Sequence, residues 1–153
     1  MLKIVERLLE YGFVTGSRVF GTAREDSDID IVYPIYYSQH IARIIEGHDI
    51  TRSDYFSGYY ISDEGKIINL IPVHPHEFLP WYLATKAIEA TLILSNIKDP
   101  IKKYAVFQGI VCLYKGTVEE KLNIKEYELI ARSIINNQNK DIEFNAVEIE
   151  LGF

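Results

Sequence analysis

Apolar and polar positions alternate with changing period along this chain, and the changes mark out its elements. Leu2, Ile4, Val5, Leu8 and Leu9 fall near helical spacing, and Gly12 stands where a C-terminal cap belongs. Phe13 to Thr15 is a short strand. Asp28 to Tyr33 reads as a buried strand stopped by Pro34. From Ile35 to Glu46 the apolar residues Ile41, Ile44 and Ile45 return to helical spacing, which ends at Gly47. Asp49 to Phe56 and Gly58 to Ile61 read as strand segments. Ser62-Asp63-Glu64-Gly65 is a turn, and Lys66 to Val73 comes back as a strand.

Beyond Val73 the period changes again. Pro72, Pro75 and Pro80 punctuate the exit from the last strand, and helical spacing then runs from Pro80 to Ile97. A second helix runs from Ile101 to Leu113, opened by Asp99-Pro100 and ended by Gly116. Glu119 to Ile135 reads as a further helix, and the alternating tail from Ile142 to Leu151 as a final strand. No repeat or low-complexity segment is present. The pattern predicts an α/β (α+β) chain: a small mixed sheet in residues 1–76, then a helical region, residues 77–153, packed on it as one compact domain.

Composition narrows this picture. The chain has 153 residues, of which 48% are hydrophobic and 25% charged, enough for a core that needs no staples. No apolar run is long enough to span a membrane, and the first residues lack the pattern of a secretory leader, so a cytoplasmic setting is expected. The single Cys112 excludes an internal disulfide, and its neighbours Ile110, Val111 and Leu113 predict a core position. The formal charge of −6 argues against loose binding to nucleic acid, which relies on a basic surface. The 11 tyrosines are expected to be half-buried, with wet hydroxyls.

Chemistry is concentrated between Thr15 and Tyr33. Gly16-Ser17 closes the apolar run Phe13-Val14, and Asp28-Ile29-Asp30 opens the next one after a loop of about ten residues. Carboxylates at i and i+2 of a strand share a face. Side by side they repel, and a divalent cation is the usual reason to keep them together. A Gly-Ser turn opening a helix offers free backbone N–H groups suited to phosphate. Cation plus phosphate is the chemistry of nucleotidyl or phosphoryl transfer.

Gly16, Ser17, Asp28 and Asp30, with Phe20-Gly21-Thr22-Ala23 and Ser27 between them, resemble the minimal members of the nucleotidyltransferase superfamily that shares the DNA polymerase beta palm. The likeness is specific over residues 13–33 and extends to about residue 73. It implies a palm-like core in which Asp28 and Asp30 are catalytic and hold Mg²⁺ or Mn²⁺, while Gly16 and Ser17 hold the phosphates of an NTP, expected to be ATP. Arg18 and Arg24 flank the loop as candidate phosphate ligands, and Lys86, Lys102 and Lys103 are candidates on the later helices.

The resemblance also implies a third carboxylate on a later strand, which helps deprotonate the attacking hydroxyl. The strand that should carry it here, Lys66-Ile67-Ile68-Asn69-Leu70-Ile71, offers Asn69. An amide carbonyl can still ligate a cation, but it brings no charge and cannot act as a base. Asp54 first, then Asp49 or Glu77, are the candidate substitutes, whereas Asp63 and Glu64 read as a solvent-exposed hairpin tip. His74-Pro75-His76 reads as a loop rather than a metal pair, and His40 and His48 carry no pattern.

Three functions follow. The first is transfer of a nucleoside monophosphate to a hydroxyl on a protein side chain (as in antitoxin-like members), an RNA end or a small molecule such as an aminoglycoside; the acidic charge favours protein or small molecule over RNA. The second is a catalytically weakened or inactive module that binds a nucleotide or a partner protein. The third is a relic of the fold whose later helices form an oligomer interface.

Overall fold

Adjacent residues of the central strands belong to two different cores, because side chains alternate across a sheet. Ile31 and Tyr33 face one way and Val32 the other; Ile68 and Leu70 oppose Ile71 and Val73 in the same manner. A computed structural model of the chain describes residues 2–20, 27–52, 58–91 and 97–118. Its elements are α1 (Lys3–Leu8), β1 (Phe13–Thr15), α2 (Ser17–Phe20), β2 (Ile29–Pro34), α3 (Ser38–Ile44), β3 (Ile50–Arg52), β4 (Tyr59–Asp63), β5 (Lys66–Val73), α4 (Pro75–Thr91) and α5 (Pro100–Val118).

The five strands form one sheet in the order β1-β2-β5-β4-β3. β2 and β5 run parallel and the other pairs antiparallel, so the sheet is mixed, as the sequence predicts. On one face Ile4, Val5 and Leu8 of α1 and Ile41 and Ile44 of α3 pack against Ile31, Ile61, Ile68 and Leu70. On the other, Phe78, Trp81, Tyr82 and Ile88 of α4 and Phe107, Val111 and Tyr114 of α5 close over Phe13, Val32, Ile71 and Val73. No helix of the described residues is long and apolar enough to cross a membrane.

Several boundaries differ from the sequence reading. Gly12 does not cap α1, which ends at Leu8 with Leu9 as its cap; a Cβ on Gly12 would lie 2.1 Å from the Val32 carbonyl oxygen, so glycine is what lets this segment lie against β2. The helix expected from Ile35 divides into a 3-10 turn (Ile35–Tyr37) and α3, with the Ser38 hydroxyl donating to the Ile35 carbonyl at 2.6 Å. α4 begins at Pro75, not Pro80. Proline suits the first helical position, where no backbone donor is needed, and the Glu77 N–H closes the turn on the His74 carbonyl at 2.9 Å. His74-Pro75-His76 is therefore a helix start rather than a loop, and Pro80 sits inside the helix.

α5 runs to Val118, through Gly116. Cys112 is exposed, contrary to the core position expected, because Val111 and Tyr114 are the residues that α5 turns inward. Tyr33, Tyr82 and Tyr114 are fully rather than half-buried. The strand expected over Asp49 to Phe56 is seen as Ile50–Arg52, with residues 53–57 outside the described set. The helix expected over Glu119 to Ile135, the strand over Ile142 to Leu151, and residues 92–96 also lie outside it.

Candidate active site

A single row of paired residues crosses the whole sheet. Thr15 pairs with Asp30, Asp30 with Asn69, Asn69 with Tyr60, and Tyr60 with Thr51. Paired residues of neighbouring strands share a face, so these five point to one side. Asp30 occupies the second position of that row. Asp28 lies two residues earlier, just ahead of β2, close enough for its charge to act on Asp30.

β1 feeds directly into this site. Gly16 turns the chain with φ +76°, and its carbonyl accepts the N–H groups of Val19 (3.0 Å) and Phe20 (2.9 Å), which starts α2 at Ser17. A Cβ at Gly16 would lie 1.9 Å from Asp30 Oδ2, so only glycine gives both the turn and the close approach to the carboxylate. Gly16, Ser17 and Asp30 are thus brought together. Arg18 donates to the Ser27 carbonyl and so bridges the two ends of residues 21–26, which lie outside the described set, Arg24 among them.

The other oxygen of Asp30 accepts the Asn69 amide N–H at 3.2 Å. Asn69 is 2% exposed, and its carbonyl Oδ1 has no hydrogen-bond partner among the described residues. A buried acceptor left unmatched costs about 1–3 kcal/mol. The Asp30 carboxyl is pushed up to about 6, first by burial and further by the charge of Asp28; the Asn69 hydrogen bond and Arg18 pull it down. Burial is thus the main cost of charging Asp30, and hard carboxylate oxygens such as those of Asp28 and Asp30 suit a cation of the Mg²⁺ or Mn²⁺ type. Among the described residues no group of three or more His, Cys, Asp or Glu side chains is placed to hold a metal ion.

Of the residues considered as substitutes for the third acid, the two described ones lie elsewhere or are engaged. Asp49 is exposed ahead of β3, and Glu77 pairs with Lys115 at 3.0 Å between α4 and α5. Asp54 lies outside the described residues. Glu64 and Gly65, at φ 49° and 78°, form the expected hairpin tip. Asp63, expected to be solvent-exposed with it, is instead partly buried at the end of β4 and accepts from His48 at 3.1 Å, while the second ring nitrogen of His48 faces the Ile45 carbonyl, a tie the sequence did not signal. Lys86 pairs with Glu89 and lies over the Tyr82 ring, while Lys102 is exposed on α5. His74 and His76 stack ring on ring, with centroids 5.4 Å apart.

Thr15 and Thr85 form a support that sequence reasoning missed. The Thr85 hydroxyl donates to the Trp81 carbonyl at 2.8 Å, so the 2.8 Å contact between the two hydroxyls has Thr15 as donor. This bond pins the strand end carrying Gly16 to α4. Tyr60, beside Asn69, was likewise not singled out. Neither carries a local signal, because both acquire their place only through strand register.

No family model matches the chain, and no curated protein matches it. Among solved structures it is similar to that of ANT(2")-Ia in complex with adenylyl-2"-tobramycin, at 12% identity over 89% of this chain and 97% of that chain, with a TM-score of 0.38. A likeness at that level assigns no chemistry.

Proposed function

We propose that this chain is a metal-dependent nucleotidyltransferase that moves a nucleoside monophosphate from an NTP, ATP in the first instance, to a hydroxyl acceptor. The observation that carries this reading is the packing of Gly16 against the Asp30 carboxylate, which sets a helix-opening Gly-Ser turn beside an acid at the start of a central strand. Asp28 and Asp30 hold the divalent cation, which when bound neutralises charge on the triphosphate. The backbone of Gly16 and the hydroxyl of Ser17 bind phosphate oxygens, with Arg18 and Arg24 adding positive charge at the loop. The acceptor oxygen bonds to the α-phosphorus as the bond to the pyrophosphate oxygen breaks, and the acceptor proton passes to solvent water. Asn69 takes the third position and orients Asp30 without acting as a base. Residues 1–76 form the palm-like core in this reading, and residues 77–153 the helical extension. A protein side chain or a small molecule suits the net charge of −6 better than RNA does. A cytoplasmic setting, rich in ATP and Mg²⁺, accords with it.

Asn69 also favours a second reading, in which the chain binds a nucleotide or a partner protein and transfers slowly or not at all. One experiment separates the two. Thermal unfolding with each NTP, with and without Mg²⁺ or Mn²⁺, is run alongside pyrophosphate release for the unaltered protein, Asp28→Asn and Asp30→Asn. A ligand at a hundredfold its Kd adds about 2.7 kcal/mol of stability. A metal-dependent shift with pyrophosphate release, both lost in the variants, supports transfer. A shift without release supports the binding module. Release that persists in both variants overturns the assignment of the site.

A further inference from the structure

Two attachments bracket the Gly16 turn, and both run to α4. On the incoming side β1 is short and lies at the edge of the described sheet, and its ladder ends at the pair Thr15–Asp30, where the strand leads straight into Gly16. The last pair of a short edge strand frays unless another element holds it. Here the Thr15 hydroxyl donates to Thr85, which donates in turn to the Trp81 carbonyl, both at 2.8 Å. Thr15 and Thr85 are buried, so water does not compete for the bond between them. On the outgoing side Phe20 closes α2; its ring centroid lies 5.4 Å from that of Phe107, which lies 4.9 Å from that of Trp81.

The stripe that α4 lays on β1 is Phe78, Tyr82 and Thr85, which share one helix face at spacings of four and three. Phe78 and Tyr82 meet Phe13, with ring centroids 5.0 Å and 5.3 Å away, and Thr85 meets Thr15. Burial of apolar surface is non-directional and lets packed elements slide, whereas a hydrogen bond fixes distance and angle. The directional contact of this stripe falls at the end that adjoins the site. Gly16 has no side chain of its own to set its approach to Asp30 Oδ2, so that approach is inherited from Thr15, the residue before it.

We propose that Thr85 is a positioning residue of the nucleotide site: through Thr15 it sets the Gly16–Ser17 turn against Asp30. α4, and α5 behind it through Phe107, thereby belong to the phosphate-binding apparatus and do not merely cover the sheet. The role in nucleotide binding rests on the transfer reading above, whereas the mechanical link from Thr85 to Gly16 does not. Thr85 touches neither nucleotide nor cation and acts through Thr15 alone.

The test uses the full chain, with ATP and Mg²⁺ as probe, in the unaltered protein, Thr85→Val, Thr85→Ser and Ile88→Val. Ile88 is buried on α4 one turn from Thr85, among apolar side chains, so its variant lowers stability while leaving the hydroxyl bond in place. Two quantities are read at a temperature where every variant is folded: the ATP Kd by calorimetry, and the Gly16 amide resonance by NMR without nucleotide. In Thr85→Val, ATP binding should weaken at least about fivefold, the scale of one lost hydrogen bond, and the Gly16 resonance should move. Thr85→Ser should restore both. Ile88→Val should leave both near the unaltered values despite its lower melting temperature. Thr15→Val, which removes the donor, takes the place of Thr85→Val if that variant folds poorly. ATP binding unchanged in Thr85→Val, or weakened equally in Ile88→Val, overturns the proposal, as does a Gly16 resonance that stays in place. If the unaltered chain binds no ATP, the transfer reading falls by itself, and the Gly16 resonance alone decides the role of Thr85.

Discussion

Asn69 donates its side-chain N–H to the Asp30 carboxylate, 3.2 Å away, across the parallel β2–β5 pair. The contact fixes one Asp30 oxygen and leaves the other facing Gly16. It restrains the carboxylate without adding a second charge beside it, and the predictions below follow from that restraint.

Asn69→Asp places a like charge where a donor stood. Without cation at pH 7.5 the variant should be less stable, by about 1–3 kcal/mol for a lost buried hydrogen bond and the repulsion that replaces it. Mg²⁺ or Mn²⁺ should restore most of that deficit, with a larger thermal shift than in the unaltered protein. A positioned general base contributes about 10²–10⁴ in rate, so pyrophosphate release should rise at least about tenfold. An unchanged thermal midpoint together with an unchanged rate would remove Asn69 from the site.

The Asp30 carboxyl, held near 6 in the fold against 3.8 for the free group, sets a pH dependence. The folded chain holds this proton more tightly than the unfolded chain does. Its contribution to stability is fully present below 3.8 and is lost as pH rises through about 6. At about 1.4 kcal/mol per pKa unit the loss is at most about 3 kcal/mol, and the partial solvent access of Asp30 reduces it. Asp30→Asn should therefore raise the melting temperature of the cation-free protein at pH 7.5, with the gain gone by pH 4. The variant that disables the site should be the more stable one.

Gly16→Ala and Gly47→Ala make a controlled pair. Both glycines have positive φ, +76° and +87°, so each alanine carries a backbone cost of about 1–2 kcal/mol. At Gly16 the new Cβ meets Asp30 Oδ2 at 1.9 Å, whereas at Gly47 nothing among the described residues lies within 4 Å. Denaturant unfolding should show Gly16→Ala as the more damaging change. The ATP-dependent thermal shift should vanish in Gly16→Ala and survive in Gly47→Ala.

Thr85→Val leaves the buried Thr15 hydroxyl without its acceptor and should cost about 1–3 kcal/mol. The double variant Thr15→Val/Thr85→Val should cost less than the sum of the two single changes, because both partners of that bond then leave together. Strictly additive losses in urea unfolding would show that the two hydroxyls act separately.

What the sequence disclosed depended on how local each cause was. The Phe13–Thr15 and Lys66–Val73 strands appear where the short apolar runs and their stops put them, and the Glu64–Gly65 tip follows from glycine in a two-residue turn. Prolines misled at α4, where Pro75 was a start signal and Pro80 a tolerated interior residue. Cys112 misled because every residue around it is apolar, so composition does not reveal which side of α5 faces α4. Asp28, Asp30, Gly16 and Ser17 stood out because their causes lie within one loop of chain. Thr15 and Thr85, 70 residues apart, carry no mark of each other in sequence.

The parallel β2–β5 pairing also dictates when the site exists during folding. The β4–β5 hairpin closes over a two-residue turn and forms from local contacts, whereas Asp30 meets Asn69 across 39 residues of chain. Closing so long a loop exacts an entropy cost before any contact rewards it, which makes such pairings late and slow. Until that step, Asp28 and Asp30 begin a strand with no neighbour on its β5 side, and the row running from Thr15 to Thr51 is broken in the middle. The juxtaposition of Asp30 and Asn69 thus waits on a long-range contact, while the β4–β5 hairpin beside it can form from local ones.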